Sequence, residues 1–199
     1  MNTRKQKKEE SRKLIVDAAA QRFRREGLAG ATIADILSDA GLTHGTFYAH
    51  FDSKEALQAE AFRSAADETS DRWTQNIADL PLDGAVRLLL GRGLGNYHLK
   101  HPETGCPFAA AGSEVARGSA DIRKAYEESL LAVAAKVSSA LGDGTDVDTA
   151  LAIHAMCLGG ITMARSVSSD EAALRILRAC RQFVLERHAI HSEKGAAEH

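Results

Sequence analysis

The sequence predicts an all-α protein, and three observations carry that prediction. Alanine, the strongest helix former, occupies 35 of the 199 positions, while proline occupies only 3. Aromatic residues make up 5%, too few for the alternating strands of a sandwich or barrel. Apolar residues recur at helical spacing, as at Ile15, Ala18, Ala19 and Phe23, with Arg12, Lys13, Arg22 and Arg25 lying among them.

The helices follow in order. The first runs to Gly27, a residue that ends helices readily. Thr32, with Asp35 three residues later, has capping-box spacing and predicts a second helix from about Ile33 to Asp39. Ala40-Gly41-Leu42 breaks it. Thr43 then caps a third, very short helix anchored by Leu42, Phe47 and Phe51. Asp52 with Glu55 repeats the capping spacing and starts a fourth helix reaching about Gln75. After the break at Leu80-Pro81, a helix is expected from about Leu82 to Leu99, softened by Gly91, Gly93 and Gly95 and stopped at His101-Pro102. Pro107 suits the first turn of a short helix ending near Arg117. Long helices follow at about 120–141, 148–166 and 170–187, separated by Gly142-Asp143-Gly144 and Ser168-Ser169. A frayed tail is expected over 192–199.

Composition narrows the function classes. Hydrophobic residues at 44% and charged residues at 26% suit a chain that buries its own core. A net charge of −2 names no partner. Cys106, Cys157 and Cys180 are odd in number and widely spaced, so neither a disulfide framework nor a CxxC pair is expected, and a reducing cytoplasm suits them. The basic start is not followed by an apolar stretch, so no signal peptide is expected. The longest apolar run, Leu130 to Ala135, falls far short of the roughly 20 residues of a membrane span, so no membrane partner is expected. The alternating glycines do not form GxGxxG after a strand, which argues against dinucleotide binding. His98 and His101 have i, i+3 spacing without a third ligand, so no metal is expected. No nucleophile–base constellation is visible, and the chain is expected not to be an enzyme.

The segment Thr32–Lys54 is the specific one. A helix, a glycine-containing turn and a short second helix form the helix-turn-helix pattern, whose second helix enters the DNA major groove. With Phe47 buried, the opposite face of the short helix presents Gly45 and Ala49, flanked by Thr46 and Tyr48. Small residues there let the backbone sit deep in a groove. His44 is placed to reach base edges, and Thr46, Tyr48 and His50 carry donors suited to phosphates or bases. Lys54 adds charge to a helix N-terminus that already favours phosphate.

From Glu10 to about Phe62 the chain resembles the DNA-binding domain of the TetR family of transcriptional regulators. The resemblance lies in Leu14–Ala20, Phe23, Gly27, Thr32-Ile33, Ile36, Ala40-Gly41-Leu42, Thr46-Phe47-Tyr48, His50-Phe51 and Lys54 to Leu57. It implies DNA contacts by Thr32, Thr43, His44, Thr46, Tyr48, His50 and Lys54. It also implies about nine helices, with a C-terminal domain that binds a small ligand and dimerises. The expected organisation is therefore a basic arm at 1–9, a DNA-binding domain at 10–70 with its motif at about 33–52, and a ligand-binding and dimerisation domain at 71–191. Residues 97–117 resemble a stretch common in one TetR-like subgroup, without naming a ligand.

The expected function is a ligand-responsive repressor that binds a palindromic double-stranded DNA operator as a homodimer and is released by a small-molecule effector, with no cofactor. Segment position nominates Trp73, Tyr97, His98, Cys106, Phe108, Glu114, Tyr126 and Met163 as ligand-binding residues. The last two helices look apolar over a wide arc, which nominates Leu151, His154, Cys157, Ile161, Leu174, Leu177, Phe183 and Val184 as the dimer interface, with Gly159-Gly160 permitting close approach. The alternative is a thiol sensor triggered at Cys106, which precedes Pro107 at a helix N-terminus near His98, Lys100 and His101. Residues 1–25 hold nine basic and three acidic side chains, a balance of +6 that leaves −8 on the other 174. The basic end is the expected DNA-facing one.

Overall fold

The computed structural model describes residues 2–142 and 145–196; among them are ten α-helices, one 3-10 turn and no strand. The helices are α1 (Asn2–Gly30), α2 (Ile33–Asp39), α3 (His44–Tyr48), α4 (Lys54–Thr74), α5 (Leu82–Gly93), α6 (Asn96–Lys100), α7 (Pro107–Val115), α8 (Ala120–Leu141), α9 (Val147–Ser166) and α10 (Asp170–Ala196), with the 3-10 turn at Pro102–Thr104. Asp143, Gly144 and residues 197–199, parts of the expected turn and tail, lie outside the described residues.

Local chemistry explains most boundaries and corrects a few. Thr32 caps α2 by accepting from the Asp35 N–H at 3.2 Å. At α4 the cap is Ser53, whose hydroxyl accepts from the Ala56 N–H at 3.1 Å, rather than the expected Asp52. The single helix expected from Leu82 to Leu99 is two, because α5 ends at Gly93 and α6 begins after Gly95. The basic segment expected as an arm is the start of α1, since no proline or glycine interrupts it. α10 extends to Ala196, beyond the expected end near Arg187.

The chain forms two compact units. The first comprises residues 2–69 and 102–130, so α1, α2, α3 and most of α4 share their unit with α7 and the start of α8. Gly27 breaks the path of α1 with φ 76°, and a side chain at that position would meet the Glu114 carboxylate at 2.8 Å. That carboxylate accepts from the Leu28 N–H exposed by the break, so α7 ties down the end of α1. Phe62, Phe108 and Tyr126 pack edge-on or tilted with centroids 4.9–5.5 Å apart. Buried Arg24 is held by the Ala65 carbonyl (3.0 Å), Glu68 (2.8 Å) and Thr69 (3.3 Å).

The second unit comprises the described residues of 70–101 and 131–196. Its core is Leu89, Leu90, Leu94, Ile153, Ile161, Leu177 and Val184. Arg92 donates to the Trp73 and Gln75 carbonyls at 2.7 Å each, satisfying the end of α4. α9 is long and apolar enough to cross a membrane by length and composition, with a mean hydropathy of 1.4, although no uninterrupted apolar run announces it. One of its faces, including Ile153, His154, Cys157 and Ile161, is buried within this unit.

That burial corrects the expected dimer interface. His154, Cys157, Ile161, Leu177 and Val184 are core residues of one chain, and Leu151 is half-buried. Among those nominated, only Leu174 and Phe183 are exposed, and they are joined on α9 by Met163, 58% exposed. Close approach is intramolecular at Gly160, where a side chain would lie 2.7 Å from Leu94 Cδ2 and 3.0 Å from Cys180 Sγ, while Gly159 faces open space. Replacing Gly160 by Ala should therefore lower stability by about 1–3 kcal/mol through overpacking. Gly91→Ala, at an exposed position in α5 with nothing nearby, should raise it by about 0.5–1 kcal/mol. Urea denaturation of both variants checks the pair of signs.

Candidate nucleic-acid interface

A helix of five residues cannot stand alone, because nucleation costs more than so few bonds return. α3 exists through its packing. Phe47 is fully buried and stacks on buried Phe51 at 5.7 Å. Before it, α2 ends through Leu42 N–H to Leu37 O (2.9 Å) and Gly41 N–H to Ser38 O (3.1 Å), with Gly41 at φ 66°. Arg22 fixes α2 to α1 by two bonds to Asp39 at 2.6 and 3.1 Å, and this pairing holds the Asp39 carboxyl below its ordinary range.

Arg12 locks the other end of α3. Its guanidinium donates to both oxygens of Glu60 on α4 and to the His50 carbonyl at 2.6 Å, and it lies 4.4 Å from the centroid of the Phe51 ring. One side chain thus joins α1, α4 and the residues that follow α3. Sequence reasoning used Arg12 only as one of the charged positions among the apolar ones of an amphipathic helix and missed this. Its partner Glu60 is 48 positions away, so no local spacing pairs them.

The face left open matches the expected one. Gly45 and Ala49 are exposed opposite Phe47, and nothing lies within 4 Å of a side chain built at Gly45. Tyr48 is 65% exposed, and its ring meets that of exposed His44 edge-on at 5.9 Å. Thr43 occupies the N-cap position without capping; its hydroxyl lies 3.1 Å from that of half-buried Thr46. Thr32 is exposed at the start of α2, its hydroxyl donating to Asp35 at 2.6 Å, and half-buried Lys54 opens α4.

His50 departs from this surface. Its Nε2 lies 2.8 Å from the Ser11 hydroxyl, an intradomain contact that occupies one ring nitrogen. Burial, then the charges of Lys8 and Arg12, lower its pKa. Arg4, Lys5, Lys7 and Lys8, in the first turns of α1 before Ser11, are all exposed.

The nominated ligand residues fall in both units. In the first, Cys106 is 3% exposed at the start of α7, Phe108 and Tyr126 share the aromatic cluster with Phe62, and Glu114 is engaged with Leu28. In the second, Trp73 packs edge-on against buried His98 at 5.2 Å, whereas Tyr97 and Met163 are exposed. His98 Nδ1 lies 2.7 Å from the Gly93 carbonyl, and its own carbonyl accepts from Arg165 at 2.6 Å. Burial, opposed by the Gly93 bond, pushes the pKa of His98 down to about 4, and burial alone does the same for His154.

Comparison with known proteins places this geometry. The profile of bacterial regulatory proteins, tetR family, matches residues 15–61. The chain is 36% identical over 64 residues to the HTH-type transcriptional repressor KstR2 of Rhodococcus jostii, covering 32% of this chain and 31% of that one. It is 39% identical over 89 residues to the HTH-type transcriptional regulator TtgR of Pseudomonas putida, covering 43% and 42%. The matched segments thus span less than half the length of these relatives. Among solved structures, the fold is similar to that of the reduced form of E. coli NemR, with a TM-score of 0.73 at 20% identity over 87% of this chain and 94% of that one. It is also similar to a TetR-family regulator of Cytophaga hutchinsonii, with a TM-score of 0.72 at 20% identity over 89% and 94%.

Arg12→Ala should cost about 1–2 kcal/mol of stability, because it removes charged hydrogen bonds at a half-exposed site, and Glu60→Gln should cost less. Denaturant midpoints of the full chain measure both. His98 and His154 set a pH dependence. The unfolded chain takes up protons as pH falls below about 6.5, whereas the native histidines do so only near 4. Stability should therefore be undiminished above 6.5 and fall between 6.5 and 4, by up to about 1.4 kcal/mol per pH unit for each histidine. His98→Gln should flatten part of that slope in thermal melts across the window.

Proposed function

Since the chain belongs to the tetR family of bacterial regulatory proteins, we propose that it is a DNA-binding transcriptional repressor acting as a homodimer on a palindromic operator. The observation that carries this reading is the open face of α3. Gly45 and Ala49 leave room for the helix backbone to enter a major groove, with His44, Thr46 and Tyr48 along its edges as base readers. Thr32, Thr43, Lys54 and the basic first turns of α1 supply phosphate contacts. His50 acts chiefly inside the domain, holding α1 to the end of α3 through Ser11.

Dimerisation is assigned to the exposed faces of α9 and α10. Met163 on α9 and Phe183 on α10 are exposed apolar side chains that a partner subunit would cover, whereas Leu174 lies on the other side of α10 from Phe183. Two-fold symmetry then sets two recognition helices about 34–36 Å apart, one DNA turn. The name of KstR2 supports repression over activation. A small-molecule effector would release the chain by favouring a conformer that fits DNA poorly, and DNA must weaken that effector by the same factor. A thiol trigger at Cys106 is the less supported reading, because that residue is buried, 3% exposed, whereas reactive thiols are partly exposed.

Fluorescence anisotropy on DNA from upstream of the chain's own coding sequence tests the proposal. Affinity should fall by at least about tenfold between 50 and 200 mM salt. His44→Ala and Tyr48→Phe should each cost about 1–3 kcal/mol on the preferred sequence, whereas Lys54→Ala should weaken all sequences alike. Binding without sequence preference, or unaltered by His44→Ala and Tyr48→Phe, refutes the assigned readout.

A further inference from the structure

Within the second unit, α10 turns Arg178, Arg181, Gln182 and Leu185 to one side, at the 3–4 residue spacing of a single helical face. α5 supplies Arg87 and Leu90 opposite, and the two helices bound a groove of about 430 Å³. Its charges are unequally matched. Arg87 is held by Asp83 at 2.7 Å, and Glu186 at the groove's end accepts from Gln182 at 2.8 Å. Arg178 and Arg181 make no ion pair or hydrogen bond among the described residues. Between them and α5 lies an apolar floor of buried Leu90 and half-buried Leu185.

Two guanidinium groups without acidic partners among the described residues, set over hydrocarbon, call for a ligand with an anionic head and an apolar body. With Arg87 offset by Asp83, the groove's remaining charge is two cations against Glu186, which suits a monoanion better than a phosphate monoester dianion. A planar carboxylate also fits the guanidinium fork in a bidentate manner. We propose that this groove binds an amphiphilic carboxylate, its head on Arg178 and Arg181 and its hydrocarbon along Leu90 and Leu185. The site stands apart from the proposed DNA-binding role, because its occupancy is measured without DNA.

Isothermal titration calorimetry of the full chain with octanoate tests it. The expected result is saturable binding at one site per chain, at least about tenfold tighter than 1-octanol, which keeps the hydrocarbon and loses the charge. Arg178→Gln with Arg181→Gln should weaken octanoate at least about tenfold, while Arg175→Gln, on the same helix outside the groove, should leave it unchanged. Should the double variant fail to melt cooperatively, Arg178→Gln alone, at an exposed position, carries the same test. Absence of saturable binding, equal affinity for 1-octanol, indifference to the arginine substitutions, or tighter binding of octyl phosphate than of octanoate would each overturn the assignment.

Discussion

The five residues of α3 stand on the burial of Phe47, and the residues that follow them are held by a single guanidinium. Arg12 reaches Glu60, the His50 carbonyl and the face of Phe51, so three segments distant in sequence are fixed through one side chain. Its planar fork makes this possible, since a lysine at that position has one point charge to share among three partners. Phe47 supplies the burial, Arg12 the direction. The open face of α3 is therefore held in place by groups on the opposite side of the helix.

The same economy recurs in the first unit. Residues with the chemistry of binding sites are used there as fasteners. Glu114 receives the Leu28 N–H where Gly27 breaks α1, and Arg24 is buried among Ala65, Glu68 and Thr69. Glu114 thereby satisfies a backbone N–H that would otherwise be left without an acceptor at a cost of about 1–3 kcal/mol. Tyr126, also nominated for a ligand, belongs to the aromatic cluster that joins α4, α7 and α8.

The second unit has a different character. It buries two histidines whose charged forms are disfavoured, and Trp73 lies against one of them. It also leaves Met163, Leu174 and Phe183 in water. Most of the residues first nominated for a subunit interface serve instead the unit's own core.

Much of this was legible in the residues alone. Alanine content and 3.6-residue periodicity determined an all-α chain, Thr32 determined the start of α2, and Phe47 determined which face of α3 is open. These are local rules, acting over one or two helical turns. What the tertiary structure decided were matters between distant residues: that Arg12 meets Glu60, that His50 turns to Ser11, and that 102–130 join the first unit. Which apolar positions of α9 and α10 are core and which are surface was decided there too, because an amphipathic pattern records that a face is buried and not what buries it.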